Sequence, residues 1–205
     1  MDGELAARVR AAAEALRRGG VVAYPTETFY ALGALATDAA AVARLARAKG
    51  RPDGKPLPLV AAHREAVDAV AVLEGPAARL AAAFWPGPLT LVLPARPGLA
   101  AEVTAGTGTV GVRVPSSEVA RTLAAHAGGP LVSTSANLAG EEPVVRAADL
   151  APALRARLDA VLDGGATPGG LPSTVATFQE GALRVLRAGA IPGAALERSL
   201  RPGER

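Results

Sequence analysis

Lysine occurs twice in this chain, as Lys49 and Lys55 within seven residues, while the other twenty basic residues are arginine. The stretch AKGRPDGKPLPLV, residues 48 to 60, therefore gathers Lys49, Arg51 and Lys55 around a stiff turn built from Gly50, Pro52 and Gly54. A compact ammonium differs from a planar guanidinium in size and in point-charge geometry. Its retention here points to a phosphate or a reacting carboxylate met at close range. The plainer alternative makes Lys49 a helix-end charge pairing with the C-terminal dipole, worth roughly 0.3–1 kcal/mol, which arginine serves equally well. On the first reading Lys49→Arg leaves the melting temperature unchanged and lowers turnover.

Two further segments offer polar side chains at strand ends. In AYPTETFYALG, residues 23 to 33, a strand runs into Pro25 and presents Thr26, Glu27 and Thr28. These hydroxyls either bind a small polar ligand or satisfy turn backbone. In PLVSTSANLAG, residues 130 to 140, a buried strand ends in Ser133, Thr134 and Ser135, followed by Asn137, the chain's one asparagine. That row suits an oxyanion or a nucleotide, or Asn137 simply takes a left-handed turn. No general base stands beside the serines in sequence, and neither a phosphate-cradling G-x-x-x-x-G-K-[ST] loop nor a G-x-G-x-x-G fingerprint occurs. A nucleotide would have to be held by basic side chains and hydroxyls.

The composition narrows the classes. At 205 residues, half of them apolar, the chain suits one soluble domain, 1–205, with a core that needs no disulfide or structural metal. Cysteine is absent, and His63 and His126 are the only imidazoles, far apart, so no protein-ligated metal is expected. The abundance of alanine, glycine, proline and arginine, with few amides and no thiol, suggests a GC-rich genome and a hot habitat. Charges run through the first twenty residues, which argues against a signal peptide or membrane span and for a cytoplasmic protein. The net charge of +3 suits phosphate or carboxylate ligands, although the arginines are scattered.

These segments must be positioned by alternating elements. Leu5, Val9, Ala12 and Leu16 predict an amphipathic helix over 4–18, and a second helix over 38–49 is capped by Thr37 or Asp38 and ended by Gly50. Strands are expected at 20–24, 57–62, 89–95, 109–115, 130–134, 173–178 and 183–187, with helices near 64–72, 76–84, 117–127 and 147–158. The last two strands form a hairpin around Gln179, Glu180 and Gly181, and a short helix follows Pro192. The result is an α/β fold with an open twisted mixed sheet and flanking helices.

Taken together, the motifs resemble one family, the YrdC-like threonylcarbamoyl-AMP synthases, in its short single-domain form. The resemblance is carried by YPTET-x-Y-x-L-G at 24–33, K-x-R-P-x-x-K-P-L at 49–57, FWPGPLTLVL at 84–93, VGVRVP at 110–115, STSAN-x-x-G at 133–140, PSTV at 172–175 and LR-x-G at 186–189. Ala31 stands where the family usually has glycine. The resemblance implies an open α/β fold with a basic concave cavity, and conversion of L-threonine, bicarbonate and ATP into threonylcarbamoyl-AMP and pyrophosphate. Magnesium would accompany the ATP. Downstream proteins would transfer the threonylcarbamoyl group to adenosine beside the tRNA anticodon, with a possible direct tRNA contact. Carried over residue by residue, threonine binding falls to Thr26, Thr28, Arg113, Ser133 and Ser173. ATP binding falls to Arg51, Lys55, Thr109, Ser135, Asn137 and Arg187, and Lys49 and Arg51 act at the reacting centre. Rival readings are a carbamoyl-adenylate-forming enzyme and an RNA-binding module, the latter disfavoured by the scarcity of aromatics.

Overall fold

Helix α1 (Gly3–Arg17) begins where the Asp2 carboxylate accepts the Leu5 amide at 2.8 Å, and its buried stripe of Val9, Ala12, Ala13 and Leu16 is the one the sequence spacing predicts. The computed structural model describes residues 1–50 and 54–201. Strand β1 (Val22–Pro25) follows and pairs antiparallel with β2 (Tyr30–Gly33). Strand β2 was not expected from the sequence: all four of its residues are buried, so it shows no alternation. Helix α2 (Ala39–Lys49) agrees closely with expectation. Asp38 is its N-cap, accepting Ala41 N–H at 3.0 Å, and Gly50 ends it with φ +63°, a conformation that favours glycine.

The next elements are β3 (Leu59–Val60), α3 (Arg64–Val67), α4 (Gly75–Phe84), β4 (Leu89–Pro94), α5 (Ala101–Thr104), β5 (Thr109–Arg113) and α6 (Glu118–Ala127). Two expectations contract here: the strand over 57–62 keeps two residues, and the helix over 64–72 keeps one turn. Pro56 and Pro58 withhold ladder donors before β3. The strand expected over 130–134 divides into β6 (Leu131–Val132) and β7 (Thr134–Ser135). Pro152 separates the helix expected over 147–158 into a 3-10 turn (Ala147–Asp149) and α7 (Pro152–Arg155). Strands β8 (Ala160–Val161), β9 (Thr174–Gln179) and β10 (Ala182–Arg187) precede α8 (Gly193–Leu200). The β9–β10 hairpin turns at Glu180 and Gly181, both with positive φ, as the sequence suggested.

The strands form two mixed sheets where the sequence suggested one. One sheet has the order β7-β2-β1-β8 and the other β10-β9-β4-β5-β3-β6. The chain leaves the larger sheet after β6 and enters the smaller at β7, so Ser133 lies at the crossing, its N–H donating to the Pro58 carbonyl at 2.8 Å. Two apolar clusters support the sheets. Val9, Leu16, Tyr24, Leu123 and Leu131 form one, in which the small residues Ala12, Ala13, Ala120 and Ala124 let α1 and α6 approach. Leu45, Leu59, Leu80, Leu89, Leu91 and Val112 belong to the larger one beneath the six-stranded sheet. Each fully buried leucine contributes about 1.5–3 kcal/mol. Among the described residues no helix is long and apolar enough to cross a membrane.

Candidate active site

The period-two alternation of the six-stranded sheet determines what faces the core and what faces away from it. Leu91, Val112 and Ala176 are buried in the core, while Thr90, Val92, Gly111, Arg113 and Val175, on the other face, line a cavity of about 870 Å³. Its opposite wall comes from the β1–β2 turn, β2, the crossing at Ser133–Ser135 and the end of α2. Lys49, Arg113 and Arg187 line it, and no described carboxylate does.

The Lys49 ammonium is buried, and among the described residues four acceptors lie within hydrogen-bond distance of it. These are the Ser135 carbonyl at 2.6 Å, Ser135 Oγ at 3.2 Å, the Asn137 carbonyl at 3.2 Å and Asn137 Oδ1 at 3.1 Å. Asn137 Nδ2 in turn donates to the carbonyls of Leu138 at 2.9 Å and Glu141 at 2.7 Å. Asn137's amide is therefore engaged in fixing Lys49 and its own loop, and the residue does not line the cavity. Lys55 is exposed and does not line the cavity, although its neighbour Pro56 does. Arg51 lies outside the described residues.

Arg113 is buried on the cavity floor, where Nη1 donates to Glu27 Oε1 at 2.7 Å. Behind it, burial pushes the Tyr24 phenol well above its ordinary value of 10.0, with the Ser133 hydroxyl and the Arg113 charge pulling the other way. Thr26 Oγ1 donates to the Phe29 carbonyl at 2.7 Å and accepts the Thr28 amide at 3.2 Å, so this hydroxyl serves the turn. Thr28 Oγ1 lies 3.2 Å from it, on the same wall.

Also in the lining, Ser173 Oγ lies 2.9 Å from Thr90 Oγ1 and accepts from Arg187 Nη2 at 3.0 Å. Arg187 also donates from Nε and Nη2 to the Ser173 carbonyl, at 3.2 and 2.8 Å. A β-bulge between Val185 and Arg187 inserts Leu186 into the edge strand, and Leu186 and Arg187 both line the cavity. Arg187 is exposed as a residue, yet desolvation of its guanidinium and then the Arg113 charge lower its pKa. Thr109 joins the lining and pairs its hydroxyl with Thr107 at 3.0 Å. Of the expected residues, the cavity thus brings together Thr26, Thr28, Lys49, Thr109, Arg113, Ser133, Ser135, Ser173 and Arg187. Sequence reasoning overlooked Thr90 and the role of Glu27. The alternation of LTLVLP carried the signal for Thr90, whereas only the fold brings Glu27 to Arg113.

Two mixed sheets meeting at a hydroxyl-rich cavity lined by three cations define an α/β protein equipped for anionic ligands. The Sua5/YciO/YrdC family model, described as "Telomere recombination", matches residues 14–189, and the chain belongs to that family. The threonylcarbamoyl-AMP synthase of Pyrococcus abyssi is 40% identical over 186 residues, covering 90% of this chain and 55% of the relative. That of Halorhodospira halophila is 44% identical over 158 residues, 77% of this chain and 83% of the relative. The solved structure of P. abyssi Sua5 complexed with L-threonine superposes with a TM-score of 0.88 at 39% identity, over 93% of this chain and 56% of that one. The chain spans little more than half the length of the P. abyssi and Bacillus subtilis relatives, 55% and 57%.

Proposed function

We propose that the cavity is the active site of a threonylcarbamoyl-AMP synthase, a nucleotidyltransferase joining L-threonine, bicarbonate and ATP. The observation that carries this reading is the placement of Lys49, Arg113 and Arg187 around one hydroxyl-lined cavity without a lining carboxylate among the described residues. Two anionic substrates require such a lining. The reading is supported by the names of the relatives and by the L-threonine complex of the P. abyssi protein.

In the proposed reaction the threonine amine attacks the carbon of bicarbonate, or of carbon dioxide formed from it, giving a carbamate and releasing water. A carbamate oxygen then attacks the α-phosphorus of ATP, the bond to the bridging oxygen breaks, and pyrophosphate leaves. Arg113 receives the amino-acid carboxylate, because a guanidinium fork matches two oxygens. Thr28, Ser133 and Ser173 supply hydroxyls beside it, and Thr26 shapes the turn that carries Thr28. Thr109, Ser135 and Arg187 face the nucleotide, with Arg51 and Lys55 assigned there by the family motif. Lys49 neutralises the anions as they meet, fixed in place by Ser135 and Asn137. Catalysis is then positioning and charge neutralisation, with no protein nucleophile. Among the described residues no three His, Cys, Asp or Glu side chains cluster closely enough to hold a metal. Magnesium would enter as the companion of the triphosphate.

The product would pass to proteins that modify adenosine beside the tRNA anticodon, and the chain would work in the cytoplasm with them. The test is pyrophosphate release with ATP, threonine and bicarbonate each omitted in turn. Release is expected to need all three, and equal release without threonine would overturn the reading.

A further inference from the structure

Glu27 has no part in the reaction as drawn, yet its carboxylate is bonded to a cavity cation, Arg113. Its Oε1 accepts from Arg113 Nη1 at 2.7 Å, with the two side chains only 11% and 9% exposed. Its other oxygen, Oε2, is buried and has no hydrogen-bond partner among the described residues. A buried ion pair is weak evidence for stability, and one with an unsatisfied oxygen is weaker still. Its charge and its place behind Arg113 point to function.

We propose that Glu27 sets the selectivity of the Arg113 subsite, orienting the guanidinium and making the subsite accept a zwitterion and refuse a polyanion. The proposal rests on the reading that Arg113 receives the amino-acid carboxylate. An uncompensated arginine would attract most strongly the ligand with the most negative charge, and the triphosphate must enter this same cavity. Arg187 and Arg113 line the same cavity, so phosphates bound at Arg187 share that space with the Arg113 charge.

Coulomb energy scales with the product of charges, and the buried Glu27 carboxylate is little screened by salt. Its repulsion therefore acts about twice as strongly on a dianionic phosphate group as on a carboxylate. A zwitterion also carries an ammonium, which the same charge attracts. Arg187, by contrast, bonds the carbonyl and hydroxyl of Ser173 and keeps its full charge for phosphate. Glu27 does not line the cavity and acts through Arg113, so it is a positioning residue.

The test titrates inorganic pyrophosphate and L-threonine calorimetrically into the full chain and its Glu27→Gln variant. In the wild type, saturating pyrophosphate is expected to leave threonine affinity within about twofold of its value alone. In Glu27→Gln pyrophosphate is expected to displace threonine, raising the apparent Kd at least about tenfold. Displacement in the wild type, or continued independence in a folded Glu27→Gln, overturns the proposal. Should the uncompensated Arg113 unfold that variant, Glu27→Asp retains the charge at a longer reach: threonine binding weakens while pyrophosphate remains excluded, and displacement by pyrophosphate there refutes the idea. A wild type that binds no threonine overturns the substrate reading instead. The count of pyrophosphate sites, expected to be one in the wild type and two in Glu27→Gln, then decides the role of Glu27.

Discussion

Replacing Lys49 by arginine separates a residue that works by charge from one that works by position. Four acceptors converge on the single Lys49 nitrogen within 2.6 to 3.2 Å, and the residue is buried. A guanidinium carries its donors on three nitrogens spread over a plane, so it cannot address one point from which Ser135 and Asn137 are both reached. Forcing the larger head into this position costs about 1–3 kcal/mol, as overpacking does elsewhere. For a chain of this size each kcal/mol lowers Tm by roughly 2–4 °C. The charge is kept, so a residue valued for charge alone would leave both stability and turnover unchanged. We expect a lower Tm in thermal denaturation followed by circular dichroism. We also expect pyrophosphate release to slow at least about tenfold, equivalent to about 1.4 kcal/mol of transition-state stabilisation. Wild-type Tm together with wild-type turnover in Lys49→Arg would refute the argument that geometry determines the lysine.

Arg113→Ala is expected to weaken threonine by about ten- to a hundredfold in calorimetry, the worth of a charge-assisted pair, with a smaller effect on ATP. The double variant Glu27→Ala, Arg113→Ala is expected to melt above either single variant, since each single change strands a buried charge; strictly additive melting shifts would refute the coupling. A Cβ added at Gly189 would collide with the Pro172 carbonyl and lie 2.5 Å from Ser173 C and Thr174 N. Gly189→Ala is therefore expected to lower both Tm and threonine affinity, and a neutral effect would show that this backbone crossing does not set Ser173. Burial raises the pKa of both tyrosines of the chain, Tyr30 to about 12 and Tyr24 in the same direction. Stability is thus full below pH 10 and falls as pH rises toward 12, because the unfolded chain releases these protons first. A native tyrosinate absorbance midpoint near 10 would contradict the burial.

Local chemistry was legible where it had local causes. Asp38 and Gly50 delimit α2 because capping and left-handed termination depend on neighbours along the chain. The Gln179–Gly181 turn is of the same kind. The PTET and STSAN runs were legible as polar strand ends, and the fold brings Thr28, Ser133 and Ser135 to the cavity. Hidden from the sequence were pairings made at long range. Ser133 changes sheets because Pro58 and β2 offer partners on either side, which no periodicity announces. Lys49 was readable as unusual, but the Ser135 and Asn137 oxygens gathered around it were not. The sequence reading therefore expected an unaltered Tm for Lys49→Arg, where the packed ammonium implies a lowered one. Asn137 looked like a ligand, and its amide is engaged by Leu138, Glu141 and Lys49.

The contacts that shape the cavity are also intervals of time. Thr90 and Ser173 are 83 positions apart, Glu27 and Arg113 are 86, and Lys49 and Asn137 are 88. At a synthesis rate of about 5–20 residues per second, each of these partners waits on the order of ten seconds for the other to leave the ribosome. Over that interval α1, α2 and the β1–β2 hairpin are available, while the strand that carries Arg187 has not been made. Closing such long loops also slows folding once the chain is released. On the proposed reading, ligand binding by this cavity is accordingly a property of the chain only after residue 187 has been added, and a growing chain that still lacks Arg187 offers threonine and ATP an incomplete set of partners.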